Sequence, residues 1–406
     1  MTAEHVHRQE IETPEYKIVR YESGAYAGIK ALTLDSQNNI VYHPQDLGLV
    51  SSLLTVNLEP VNQALSAPAM IYFDPSLKCD LSCPHCLSNS RNGNNQNIPE
   101  LSTEQALNIC EQIISAGVLR VKIGGGEPLL YPTLWPVVEK LADSHLAVDI
   151  ATSGFHLPAF DQSRLDWCRQ HRVSFSISLD GEANYHDGFR GQSVYANAIF
   201  GIKRLKDNGI FCKIRSTFCN TAESMAQLPM LVELANQLAV QLKIKLARPV
   251  GRARNQNLAF TQPNEAYWRF VQELREKANM NPLITVSEEI INYAVLEEQL
   301  ILKTGLDCGA GTRAGQINAY GNFSPCAFLT PYYSGHNLLN SDQKLLDFWR
   351  HGSTFLDVRN FFLEQNQNPD NQCSTCNYRH ACQGGCPSVR LYSQTIQDPR
   401  CPAKNT

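Results

Sequence analysis

From Met70 onward, short apolar runs alternate with longer stretches in which apolar residues recur every three to four positions. The runs 70–73, Leu119–Ile123, Ala147–Ala151, Val173–Leu179, Phe211–Thr217 and Gln241–Leu246 read as strands. Helical periodicity covers 103–115, 132–144, 161–170, 193–208, 222–238 and 263–279, and the first of these opens on a capping box, Ser102-x-x-Gln105. Six successive strand–helix units predict an α/β fold with a parallel sheet and right-handed crossovers. Six units rather than eight predict a partial (β/α)6 barrel, open on one side. In such a barrel the chemistry gathers at the C-terminal ends of the strands.

Before Met70 the pattern is weaker. Tyr16–Tyr21 and Ile29–Leu34 read as strands, and Asp35–Asn39 as a turn before Ile40-Val41-Tyr42. Residues 1–68 are therefore expected to form a β-rich extension, structural more than substrate-binding, without the winged-helix pattern that binds leader peptides. The barrel is expected over 69–285 and a cysteine-rich domain over 286–406. Residues 88–97 are polar and rich in helix breakers, a solvated connection placed where it could also lie over a site.

At 406 residues the chain exceeds one ordinary core. Hydrophobic residues make up 43%, charged residues 18%, and the net charge of −4 comes without a block of like charges. Neither a nucleic-acid surface nor a membrane surface is expected. Met1–His5 is polar, no secretory apolar region follows, and no apolar run approaches the ~18 residues of a spanning helix. A cytoplasmic protein is expected. In that compartment fourteen cysteines point to metal ligation rather than disulfides.

Cys79-x3-Cys83-x2-Cys86 follows the first strand directly. A loop with that spacing can turn three thiolates toward one point, and thiolates are the usual ligands of iron–sulfur clusters. A cubane with three protein ligands keeps one iron open, the same logic that separates open catalytic metal sites from closed structural ones. For the loop alone, zinc with a distant fourth ligand competes with this reading, although zinc loops favour C-x2-C pairs.

Further motifs fall at the strand ends. Gly124-Gly125-Gly126-Glu127-Pro128 follows the second strand about 45 residues after Cys79. Its glycines allow close backbone approach to a ligand, and the Glu127 carboxylate can receive an ammonium group. Thr152 and Ser153 end the third strand. Ser178 and Asp180 end the fourth, within Ser178-Leu179-Asp180-Gly181, followed by His186-Asp187 and Arg190-Gly191. Arg215 lies on the fifth and can pair a carboxylate bidentately. Arg248-Pro249-Val250-Gly251-Arg252 follows the sixth, where basic residues either hold a substrate or form a solvated loop.

Near the C-terminus come Cys308, Cys326, Cys373, Cys376, Cys382, Cys386 and Cys401, among Gly, Pro and Asn that imply irregular backbone held by metal more than by a core. Seven thiolates fall one short of the eight that two four-iron clusters require, so one site is open or uses another ligand. A zinc ribbon built on Cys373/Cys376 and Cys382/Cys386 is the plainer reading of that segment alone. Cys110, Cys168, Cys212 and Cys219 sit inside helix or strand patterns as buried thiols.

The cysteine loop with its GGGEP segment resembles the radical S-adenosylmethionine (SAM) superfamily, and the seven-cysteine field resembles the SPASM extension of its peptide-modifying members. The resemblance spans roughly residues 70–402. It implies a 4Fe–4S cluster on Cys79, Cys83 and Cys86, whose open iron chelates SAM. Gly124, Gly125, Gly126 and Glu127 would orient SAM's amino group, while Thr152, Ser178, Asp180 and Arg215 would contact other parts of it. His85 departs from the large aromatic usual at its position. The implied SPASM ligation puts Cys308, Cys326 and Cys386 on one auxiliary cluster and Cys373, Cys376, Cys382 and Cys401 on a second. The family often has one more cysteine just after the Cys308 position, and Gly309–Tyr320 contains none.

The activity implied is that of an oxidoreductase. SAM is cleaved to a 5′-deoxyadenosyl radical that takes hydrogen from a ribosomally made precursor peptide, leading to a crosslink, an epimerised residue or an excised fragment. A separate leader-recognition protein and a reductant such as flavodoxin or ferredoxin would be its partners. An anaerobic sulfatase-type formylglycine maturase and a non-catalytic iron–sulfur or zinc protein that binds a partner are the alternatives.

Overall fold

The computed structural model describes residues 8–12, 16–21, 28–33, 64, 67–90, 98–286, 308–367, 372–376, 382 and 384–401. Strands β1 (Arg8–Glu12), β2 (Tyr16–Tyr21) and β3 (Gly28–Thr33) form an antiparallel sheet of their own. The expected turn and strand at 35–42, and residues 91–97 of the polar connection, lie outside the described residues.

The main sheet has β4 (Met70–Phe73), β5 (Arg120–Ile123), β6 (Ala147–Thr152), β7 (Ser174–Ser178), β8 (Cys212–Phe218) and β9 (Gln241–Leu246) side by side in sequence order, each parallel to the next. These are the six expected strand–helix units, within a residue or so at each end. Two further parallel strands extend the edges. β10 (Ile284–Val286) joins β9, and β11 (Ala314–Ile317) joins β4, followed by antiparallel β12 (Asn322–Ser324) and β13 (His336–Asn337).

Helix Thr103–Ser115 opens with the expected reciprocal cap: Gln105 N donates to Ser102 Oγ and Ser102 N to Gln105 Oε1. One expected helix differs, and one further helix appears. The 222–238 pattern breaks into Ala222–Met225 and Leu228–Leu238, because Pro229 lacks the N–H to continue a helix but fits its first turn. The motif after β7 itself forms helix Ala183–Arg190, and Asp187 accepts from Ser193 N and Tyr195 N to start helix Val194–Asp207.

Strict alternation along β5–β9 separates two faces. Val121, Ile123, Val148, Ile150, Phe175, Ile177, Ile214, Leu242 and Ile244 are buried in the main hydrophobic cluster under the helices. Most of the alternate positions face the barrel lumen, and all of them except Ala147, Ala151 and Gln241 carry charge or hydroxyls. In the C-terminal region Phe323, Trp349, Phe355 and Phe348 join the same hydrophobic cluster, so packing holds this part as well as any metal would. No described helix is long and apolar enough to cross a membrane.

Candidate active site

The loop after β4 carries Cys79, Cys83 and Cys86 at the C-terminal rim of the barrel, where all three line one cavity of about 1470 Å³. Leu81 N donates to Cys79 Sγ at 3.4 Å, and Cys86 N to the Cys83 carbonyl at 3.2 Å. Burial pushes the Cys79 thiol up to about 12 and raises Cys83 as well. Such thiols need a cation to ionise. The guanidinium of Arg190 lies close to Cys83 and Cys86, and that of Arg252 close to Cys83, which suits an anionic thiolate cluster.

The glycines of the GGGEP segment pack against the root of this loop. A Cβ at Gly126 would collide with the Lys78 carbonyl, and one at Gly125 (φ +100°) with the Ser76 carbonyl. Gly126 N and Glu127 N instead donate to those same carbonyls, each at 2.8 Å. A Gly124 Cβ would press on Asp74 Oδ1 at 2.8 Å. The glycines thus bring the two loops together, a use that the motif alone did not reveal.

Glu127 is 3% exposed. Its Oε1 accepts from Thr152 Oγ1 at 2.6 Å and Leu129 N at 3.2 Å, while Oε2 accepts from Ser153 N at 2.8 Å and Ser153 Oγ at 2.7 Å. These four bonds fill the usual capacity of a carboxylate. Glu127, Thr152 and Ser153 therefore form a tie between the ends of β5 and β6.

Ser178 and Arg215 line the cavity, but Asp180 does not. The expectation of direct ligand contact by Asp180 is corrected here, because its 2% exposed carboxylate is committed inward. It accepts from Arg190 Nε at 2.5 Å and Thr217 N at 2.9 Å. Although burial works against its charge, Arg190 and His85 hold its pKa down at about 2. Arg190, like Ser178, is a member of the motif that reaches the cavity. His85 stacks on Phe189 with centroids 4.7 Å apart, and burial lowers its pKa to about 3, leaving a neutral ring at this aromatic position.

Arg252 donates from Nε to the Cys83 carbonyl at 2.8 Å and from Nη1 to the Ser90 carbonyl at 2.6 Å. The basic segment after β9 is thus neither a solvated loop nor, at Arg252, a substrate clamp: it buttresses the cysteine loop.

A second cysteine group faces the same cavity. Cys308, before β11, Cys326, after β12, and Cys386, before helix Pro387–Ser393, all line it. Arg390 is 1% exposed and lies close to Cys373, Cys382 and Cys386. Its Nε and Nη1 are buried without a hydrogen-bond partner among the described residues. A buried guanidinium that stacks 4.5 Å over the Phe361 ring and keeps two N–H groups without a hydrogen bond among the described residues, set among cysteines, fits an anionic metal–thiolate centre. All fourteen cysteines are free thiols, Cys401 among them.

A cysteine triad at the rim of a (β/α)6 cavity, with a glycine–glutamate loop packed against it, is the arrangement expected of a SAM-cleaving iron–sulfur enzyme. Residues 74–228 match the family model of the Radical SAM superfamily. Members carry a 4Fe–4S cluster and bind SAM. Mycofactocin maturase MftC of Mycobacterium tuberculosis is 27% identical over 350 residues, 85% of each chain. An AdoMet-dependent heme synthase of Methanosarcina barkeri is 24% identical over 359 residues, covering 83% of this chain and 97% of the relative. The fold superposes on Streptococcus suis SuiB bound to precursor peptide SuiA with a TM-score of 0.68 at 16% identity, covering 98% of this chain and 99% of SuiB.

Proposed function

We propose that this enzyme is a SPASM-type maturase of a ribosomally made precursor peptide, with its barrel at 69–285 and its auxiliary-cluster domain at 286–406. One observation carries the reading: two cysteine groups, Cys79/Cys83/Cys86 and Cys308/Cys326/Cys386, face one cavity of about 1470 Å³. That volume exceeds the roughly 300–1,000 Å³ of an ordinary small-ligand pocket.

When bound, the cluster and SAM supply reductive cleavage of the sulfonium and a carbon radical. The protein's residues bind, orient and exclude water. Cys79, Cys83 and Cys86 hold the cluster, with Arg190 and Arg252 offsetting its negative charge. Backbone groups of Gly124–Gly126 would receive SAM's amino group, and Glu127 fixes that backbone through Thr152 and Ser153. Ser178 and Arg215 would meet SAM's polar atoms, and Asp180 acts through Arg190. Cys308, Cys326 and Cys386 hold the first auxiliary cluster, and Cys373, Cys376, Cys382 and Cys401 the second. A leader-recognition protein and a flavodoxin or ferredoxin complete a cytoplasmic system.

The test takes candidate short peptides from the gene's neighbourhood and incubates each with reconstituted enzyme, SAM and dithionite. A mass change in the peptide together with 5′-deoxyadenosine supports the reading. The heme synthase relative favours a second reading, a tetrapyrrole substrate. An unchanged peptide alongside a processed porphyrin would establish that one instead.

A further inference from the structure

The lumen faces of β5, β8 and β9 carry Arg120, Lys122, Lys213, Arg215, Lys243 and Lys245, all lining the cavity. Against these six cations the same cavity has four carboxylates: Asp149 on β6, Asp74 just after β4, Asp143 before β6, and Glu127 after β5, which already accepts four hydrogen bonds. Asp149 is already taken, since its Oδ2 meets Arg120 Nη2, Lys122 Nζ and Lys213 Nζ, each at 3.2 Å. Asp74 accepts from Gln316 Nε2 at 2.6 Å.

Lys243 makes no hydrogen bond or ion pair among the described residues. Arg215 is its register partner across β8 and β9, so two cations stand side by side on one face of the sheet. Like charges directly opposite destabilise a sheet, and a bound anion reverses the sign. The barrel therefore encloses more positive charge than its own carboxylates neutralise, directly below the cysteine loop.

We propose that this lumen binds a carboxylate of the substrate, with Lys243 as its ligand. The inference rests on the reading of a substrate that enters the barrel, and it specifies which end or side chain of that substrate goes deepest. Lysine suits the task because its flexible stem delivers a point charge to either carboxylate oxygen. Burial lowers the Lys243 pKa to about 7, and Lys213, Arg120 and Arg215 press in the same direction while Asp149 opposes them. Lys122 and Lys245 complete the charged surroundings. A carboxylate at this point would restore the ammonium form above neutral pH.

The test needs neither turnover nor a peptide, so its failure is distinguishable from failure of the proposed function. Wild-type, cluster-loaded protein is reductively methylated with formaldehyde and dimethylamine–borane across a pH series, and labelling of Lys243 is read by peptide mapping. The probes are N-acetylglycine for a chain-end carboxylate and N-acetylaspartic acid α-amide for a side-chain carboxylate, with N-acetylglycinamide as the neutral control. Expected is several-fold slower labelling of Lys243 with one or both carboxylates, a pH midpoint moved upward by a unit or more, and no effect of the amide. The carboxylate effective at the lower concentration identifies the source. The proposal is overturned if the amide protects equally, if neither carboxylate protects, if Lys243 does not label at all, or if SAM alone gives the full protection.

Discussion

Arg252 donates from Nε to the Cys83 carbonyl at 2.8 Å, and its backbone N–H donates to the Cys86 carbonyl at 3.0 Å. A segment that follows β9 thus pins the loop that follows β4. Three thiols that must meet one cluster depend on a contact 169 residues away in sequence.

Gly251 makes that contact possible. It has φ +55°, and a Cβ there would collide with the Cys86 and Leu87 carbonyls. Gly251→Ala adds left-handed strain of roughly 1–2 kcal/mol to the displacement of the loop. Iron bound after reconstitution should fall by about four per chain, one cluster's worth. Normal iron content in the variant would contradict the buttress.

Glu127 ties β5 to β6 through four donors. Glu127→Gln replaces one accepting oxygen by an NH2 that faces other donors. The loss should be about 1–3 kcal/mol, the usual cost of a buried mismatch. Thermal melting of the metal-free protein measures it, and an unchanged midpoint would mean that the tie is idle.

Asp74 makes a prediction about pH. Burial raises its pKa from 3.8 to about 6, against the opposing pull of Gln316, Arg215 and Lys122. A carboxyl raised in the fold favours the fold when protonated. Its contribution is therefore complete below about pH 4 and is lost as pH rises through 6. At about 1.4 kcal/mol per unit, the ionised group costs roughly 3 kcal/mol. Asp74→Asn should be more stable than wild type at pH 8 and equal to it at pH 4, as read by denaturant unfolding at both values.

Much of this was legible in the sequence, for definite reasons. Each βα unit is a local pattern, and the three cysteines at 79, 83 and 86 declare their chemistry by spacing alone. What escaped depends on distant contacts. Asp180 looked like a ligand because it ends a strand, but its partner Arg190 is set by helix Ala183–Arg190, and that helix turns the carboxylate away from the cavity. Arg252 read equally as a substrate-holding or a solvated residue, because nothing local shows that its segment folds back onto the cysteine loop. The alternation Arg120-Val121-Lys122-Ile123 and Gln241-Leu242-Lys243-Ile244-Lys245 was visible all along. Parallel strands usually read as continuous apolar runs, so polar residues at every second place were the signal of a charged lumen.

Arg390 bears on the auxiliary centre. Its guanidinium is buried among Cys373, Cys382 and Cys386 with Nε and Nη1 unpartnered among the described residues. Arg390→Met keeps the volume and removes the charge that an anionic cluster would face. Iron should drop by about four per chain while Cys79, Cys83 and Cys86 still bind theirs. Electron paramagnetic resonance of the reduced protein separates the two populations, and retention of all signals would contradict the role.

The most direct measurement is iron content paired with 5′-deoxyadenosine formation under reductant, comparing wild type with the Cys79/Cys83/Cys86→Ala triple variant. The account predicts about twelve irons per chain in the wild type, as three four-iron clusters require. It also predicts about eight irons and no 5′-deoxyadenosine in the variant. Zinc in place of iron, or 5′-deoxyadenosine formed equally by both proteins, would contradict it.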